Sequence, residues 1–150
     1  VSNGYQIHPR PDVWNFKHAD EFVEFGEKNN LWMLGHTLVW HNQTPEFFWR
    51  KDNGQPKTKA ELIETMRSYI ETVAGRYNGR INAWDVVNEI IGEQGEYRDK
   101  GWVKAFGGDG YEVGPSLVIG STSTSISVII TLMPREDKVS IACSMYSVLG

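Results

Sequence analysis

The stretch AWDVVNEII, Ala83 to Ile91, sets a carboxylate, an amide and a second carboxylate into a run that otherwise reads as buried apolar strand. Val or Ile at Asp85, Asn88 and Glu89 would avoid desolvating polar groups, so those three residues call for partners or for chemistry. Side chains alternate along a strand. A period of two puts Ile81, Ala83, Asp85, Val87 and Glu89 on one side, and Asn82, Trp84, Val86 and Asn88 on the other. Asn88 and Glu89 can then converge only where the strand ends.

Working outward, Thr58 and Glu61 have capping-box spacing, and Leu62, Met66, Ile70 or Tyr69, Val73 and Tyr77 form an apolar stripe that stops at Asn78-Gly79. This predicts a helix. Before it, LWMLGHTLVW (Leu31 to Trp40) is too short and too apolar for an exposed helix and reads as a strand buried on both faces. With Arg80 to Asn88 as the returning strand, residues 31–88 make one βαβ unit, and the class is α/β with a parallel sheet. Further upstream, Ala19, Phe22, Val23 and Gly26 recur at helical spacing until Asn29 and Asn30. HPRPD (His8 to Asp12) reads as an opening turn fixed by Pro9 and Pro11.

Composition narrows the function. A chain of 150 residues suits one domain but is short for a closed barrel of alternating strands and helices. The formal net charge of -4 offers no basic field for phosphate, so neither nucleic acid nor an anionic membrane is the expected partner. A neutral polymer fits better. Cys143 stands alone, which excludes an internal disulfide and a cysteine-based metal site, and it reads as a small buried apolar residue. All six tryptophans precede residue 103, whereas GGDGYEVGPSLVIGSTSTSISVIITLMP, from Gly107 on, is rich in Ser and Thr and poor in charge. Val1 opens the chain without Met, with neither a leader pattern nor a clean spanning run, so both ends read as cut.

In parallel α/β sheets ligands bind at the carboxyl ends of the strands, which is where Asn88 and Glu89 fall. Desolvation disfavours the charged form of a carboxylate, so Glu89 at an apolar strand end suits a general acid, while Asp85, deeper in the strand, suits the orienting of a neighbour. Taken alone, the Asn-Glu pair reads better as a helix cap or loop hydrogen bond. The first strand repeats the pattern: His36, Trp40, His41 and Gln43 cluster as it gives way to its loop. Histidines five apart on an extended segment lack the one-face spacing of a metal pair, so imidazole hydrogen bonding is the better reading and no metal or cofactor is expected. Phe47 and Phe48 read as core, and Trp40 as an aromatic face for a sugar ring. Glu93, Glu96 and Asp99 lie in a polar loop and read as solvated charge.

Together, GHTLVWHNQTP and WDVVNE resemble glycoside hydrolase family ten, whose members are mainly retaining endo-1,4-β-xylanases on a (β/α)8 TIM barrel. The likeness runs from about His8 to about Tyr111 and implies an incomplete barrel covering about strands three and four with their helices. It divides the chain into a partial catalytic barrel, 1–112, and an atypical segment, 113–150. Carried over by position, the resemblance makes Glu89 the acid/base, Asn88 the contact to the 2-hydroxyl of the sugar being cleaved, His36 and Trp40 parts of that sugar's site, and Gln43 a contact to the sugar chain. It also implies a cis peptide bond between His36 and Thr37.

The family's nucleophile is a glutamate on a strand beyond residue 150, so no residue here inherits that role. VSNGYQI stands where the family carries the Glu-Asn and Lys that hold glycone sugars, which leaves those subsites without support. Where the family has Asp-Tyr-Asn, this chain has Val128, Ile129, Ile130 and Thr131. Ile codons begin AT and Thr codons AC, so reading from one base earlier can yield Asp, Tyr and Asn, and a local frameshift within 113–134, with recovery near Arg135 to Val139, is the expectation. The resemblance implies a secreted enzyme acting on β-1,4-linked xylan or xylo-oligosaccharide, and no obligate protein partner is expected. Two alternatives stand beside it: a non-catalytic carbohydrate-binding piece in which Trp40 and Trp49 stack on sugar, and a related barrel β-1,4-glucanase.

Overall fold

The computed structural model describes residues 3–89, 96, 98, 101–106 and 127–131, and for Val103 and 127–131 the backbone alone. In chain order the elements are α1 (Gly4–Ile7), α2 (Lys17–Lys28), β1 (Leu34–Trp40), α3 (Lys59–Arg76), β2 (Ala83–Asn88), α4 (Gly101–Phe106) and β3 (Ser127–Thr131), with a 3-10 turn at Glu46–Phe48.

The capping box forms as the spacing predicts. Thr58 accepts from the Glu61 backbone N–H, and the Glu61 carboxylate accepts from the Thr58 N–H at 2.8 Å. From that start α3 buries Leu62, Met66, Tyr69, Ile70, Val73 and Ala74, so the stripe is wider than the sequence reading of Ile70 or Tyr69: both are buried. Gly79 (φ +76°) turns the chain out of the helix in a conformation that favours glycine.

The chain returns as β2, parallel to β1 in a register running from Leu34 opposite Ala83 to Trp40 opposite Asn88. β3 adds in parallel on the other side, giving a three-stranded sheet in the order β1-β2-β3. Residues 127–131 thus take a regular strand position although their composition differs from everything upstream.

Both strands are shorter than the sequence reading. Leu31 and Trp32 lie outside β1 at 49% and 64% exposure, and Leu34 keeps 37%, so the expectation of a strand buried on both faces from Leu31 is overturned. The cause is local. Leu31 N–H donates to Gly26 O, and Met33 N–H donates to the Asn82 side chain at 2.7 Å, which holds the approach to the strand outside the ladder. Likewise Arg80 and Ile81 donate to Tyr77 O in a turn, so β2 begins at Ala83 rather than Arg80.

Strict alternation also fails. The pairing slips between His36 and Val39 on β1, and again between Asp85 and Val87 opposite β3, and all six residues of β2 are buried. The His36–Thr37 peptide bond within the first slip is cis, as the resemblance implies. Beside it Gly35 is required by packing: a Cβ there would lie 2.4 Å from the ring of Trp84, which crosses the glycine fully buried.

α2 buries Ala19, Val23 and Gly26, whereas Phe22, a predicted apolar position, keeps 37% exposure. Paired hydrogen bonds lock this helix to the end of α3 and the turn after it: Arg76 reaches Asp20 at 2.9 and 2.7 Å, and Arg80 reaches Glu27 at 2.7 Å through both nitrogens. The opening turn is held by aromatics. His8 stacks on Trp14 at 3.8 Å and meets Phe47 edge-on, while Phe48 is 1% exposed, as a core residue should be. Trp102 and Phe106 of α4 are buried, and Trp102 meets Phe48 and Trp49 edge-on. Among the described residues no helix is long and apolar enough to cross a membrane.

Candidate active site

Parallel pairing brings the ends of β1 and β2 side by side, and the polar groups singled out in the sequence meet there. Trp40 lies opposite Asn88 in the register, and the chain leaves β2 at once through Glu89, whose φ of +55° is in the left-handed region. That turn is followed by a direct contact. The indole Nε1–H of Trp40 donates to Glu89 Oε2 at 2.9 Å. His41 Nε2 lies 4.0 Å from the same oxygen, with its own side chain only 9% exposed, while the Glu89 side chain retains 23%. The carboxyl group is therefore held at one oxygen and still reachable. A carboxyl anchored in this way and open to one side can pass a proton to and from a bound molecule.

One step deeper, Asp85 Oδ2 lies 2.8 Å from His36 Nδ1, and the Asp85 side chain is 3% exposed against 55% for His36. A carboxylate only accepts, so Nδ1 carries the hydrogen and Nε2 is the acceptor of the neutral ring. Asp85 thus orients its neighbour, as its depth in the strand suggested. Thr37 Oγ1 donates to the Asp85 carbonyl at 3.0 Å and ties the slipped segment of β1 to β2.

Asn88 is 5% exposed and lies between Trp40 and Thr131 in the three-strand register. Gln43, just past the end of β1, is exposed with φ +49°. The geometry therefore brings Trp40, His41 and Glu89 into one cluster and His36 and Asp85 into a second beneath it, with Asn88 in the same register and Gln43 on the adjoining loop. Trp49, by contrast, packs on Trp102 rather than standing open as a sugar platform.

Comparison with known proteins shows the family. Residues 4–113 match Glycosyl hydrolase family 10. The chain belongs to that family. It is similar to endo-1,4-beta-xylanase B of Thermotoga neapolitana, 41% identical over 101 residues, covering 67% of this chain and 28% of the relative. Endo-1,4-beta-xylanase A of Xylanibacter ruminicola is 41% identical over 106 residues, covering 71% and 29%. Among solved structures, a GH10 endoxylanase from a sugarcane soil metagenome superposes with a TM-score of 0.81 at 35% identity, over 86% of this chain and 37% of its own. The xylanase XynB of Paenibacillus barcinonensis, solved with a conduramine derivative, gives 0.81 at 31% identity over 86% and 39%.

This chain therefore spans less than a third of those two curated relatives and about two fifths of the solved ones. Its α/β architecture is part of the family 10 TIM barrel, and its three described strands form an open sheet rather than a closed barrel. The structural likeness extends over more of the chain than the family match at 4–113.

Three neighbours of the site escaped the sequence reading or were given no partner there. His41 was read only as a hydrogen-bonding imidazole of the strand-end cluster, with no partner named. Arg98 Nε donates to the Glu89 carbonyl at 3.2 Å, a contact that nothing in its loop signals. Asn3 donates to Gln43 Oε1 at 2.7 Å from forty positions away in sequence. Glu93 and Asp99 lie outside the described residues, and Glu96 is exposed. No group of three or more His, Cys, Asp or Glu placed to hold a metal occurs among the described residues.

Proposed function

We propose that this chain is the acid/base-bearing portion of a retaining endo-1,4-β-xylanase that cuts internal β-1,4 bonds of xylan. The observation that carries the reading is the anchored Glu89, at the end of a parallel strand in a family 10 chain, with Oε2 taking the Trp40 indole hydrogen at 2.9 Å. In the first displacement Glu89 protonates the leaving glycosidic oxygen while a second carboxylate attacks the anomeric carbon. In the second, Glu89 takes a proton from water as that water attacks the anomeric carbon and breaks its bond to the second carboxylate, which leaves as the free carboxylate. The attacking carboxylate comes from a later strand of the barrel, outside these 150 residues.

Around Glu89 the remaining residues bind. Asn88 serves the 2-hydroxyl of the sugar being cleaved, where a hydrogen bond strengthens as positive charge develops. His36, oriented by Asp85, and the face of Trp40 shape that sugar's site, and Gln43 contacts the sugar chain. The reaction consumes only water and needs no metal or cofactor. Xylan is too large to enter a cell, so the enzyme works outside it. The names of the relatives favour xylan over β-1,4-glucan.

The test is a complete barrel, made by replacing the matching segment of Paenibacillus barcinonensis XynB with residues 4–113 of this chain. Xylan should be hydrolysed in preference to cellulose, with the β-anomer formed first in proton NMR. Preference for cellulose, first formation of the α-anomer, or xylan binding without release of reducing ends would overturn the reading.

A further inference from the structure

Asn3 caps the first helical turn: its Oδ1 accepts the Gln6 backbone N–H at 3.0 Å. A backbone N–H can only donate, so this contact fixes which end of the Asn3 amide is oxygen. The other end, Nδ2, is thereby a donor, and it faces the side chain of Gln43 at 2.7 Å. The Gln43 atom opposite a donor must be an acceptor, which makes it Oε1 and turns Nε2, with its two hydrogens, away from Asn3.

The segment and the loop are joined at two further points. Tyr5 N–H donates to Gln43 O at 2.9 Å, and a Cβ on Gly4 would lie 3.0 Å from Pro45 Cδ and 3.2 Å from Thr44 Cα. Gly4 is buried, so Asn3 meets Gln43 through a close backbone approach that a larger residue would push apart. Gln43 itself sits at φ +49° and is exposed beside the end of β1.

We infer that Asn3 is a positioning residue that sets the hydrogen-bond polarity of Gln43, so that Gln43 meets the sugar chain as a donor to a ring or glycosidic oxygen, which can only accept. This rests on the reading of Gln43 as a xylan contact. It gives the amino-terminal VSNGYQI segment a part in substrate selection: the order backbone donor, Asn amide, Gln amide, sugar oxygen leaves a single polarity at each step.

Asn3→Asp separates this role from a structural one. Asp is as good a helix cap as Asn, so the α1 turn survives, but both of its oxygens accept. Gln43 must then rotate to donate Nε2 inward, presenting its carbonyl to the sugar. The full chain carrying Phe25→Ser and Trp32→Ser, which limit association through its exposed apolar side chains, is labelled with ¹⁵N and titrated with xylotriose, alongside Asn3→Asp and Gln43→Ala in the same background, with melting followed in parallel. Asn3→Asp should move a Gln43 side-chain amide proton downfield without ligand, and should weaken xylotriose binding roughly tenfold with melting unchanged. Gln43→Ala should weaken binding by a similar factor. If Gln43→Ala weakens binding while Asn3→Asp leaves both affinity and the amide signal unchanged, the inference is overturned and the xylan reading stands. If Gln43→Ala has no effect on binding, Gln43 is not a xylan contact and the inference falls with that contact.

Discussion

The Glu89 carboxyl takes the Trp40 indole hydrogen at 2.9 Å and keeps 23% of its side chain exposed. The position was legible because a carboxylate at the end of an apolar strand is a burial problem that needs a reason. Its partner was not, because the Trp40 indole reaches it only through the parallel register that sets Trp40 opposite Asn88. The same register turns Asp85 from an inferred orienter into a specific one, by placing it opposite His36. Asn3 was illegible for a similar reason: nothing in VSNGYQI marks it as a neighbour of Gln43 until the fold brings them together. Gly35 was also silent in sequence, since one glycine among apolar residues does not announce the tryptophan that crosses it. Gly35→Ala places a methyl 2.4 Å from the Trp84 ring, and overpacking of this kind should lower stability by roughly 1–3 kcal/mol in urea denaturation. An unchanged midpoint would show that Trp84 moves aside freely.

At the scale of elements, α3 was the most legible part because its signals are local and agree with one another: a capping box, a stripe and a glycine stop. The strands were recognised as strands but misjudged in extent, because hydrogen bonds made by Asn82 and by the Tyr77 carbonyl decide where pairing begins. The slips at His36–Val39 and Asp85–Val87 were beyond a period-two reading, since alternation assumes an even ladder. The tie between α2 and α3 carries its own pH dependence. Hydrogen bonds from Arg76, with help from Tyr77, hold the Asp20 carboxyl below its ordinary value near 3.8. Hydrogen bonds from Lys51 and Thr58 hold Glu61 down to about 2. A carboxyl lowered in the folded state adds stability above its unfolded value, and that stability is lost as pH falls through the folded value. The melting temperature should therefore fall as pH drops from the ordinary carboxyl range toward about 2. Asp20→Asn should melt below the parent at neutral pH, with the gap closing in acid. A gap of constant size would mean that the Asp20 charge contributes nothing to folding.

For the whole molecule, the resemblance carried by GHTLVWHNQTP and WDVVNE in that order placed the chain in an α/β barrel family, while the segment from 113 on was read as atypical and yet supplies β3 between Ser127 and Thr131. The frameshift proposed for 113–134 is decided by its nucleotides: a frame one base earlier that restores Asp-Tyr-Asn near Val128 to Thr131 is the expected finding, and the lack of such a frame ends the idea. Phe25 of α2 keeps 60% exposure, and Leu31 and Trp32, just before β1, keep 49% and 64%, so three large apolar side chains face water. The 150-residue chain should self-associate in light scattering and release negligible reducing sugar from xylan, and Phe25→Ser with Trp32→Ser should reduce the association. A monodisperse monomer would contradict this. The central claim, that residue 89 is the proton shuttle of a barrel whose nucleophile lies elsewhere, is tested most directly by Glu89→Gln in the completed XynB barrel. Hydrolysis of xylan should fall by about 10²–10⁴-fold, while an aryl xyloside with a good leaving group still forms its glycosyl-enzyme at close to the parental rate. Xylan hydrolysis at the parental rate in that variant would contradict the claim.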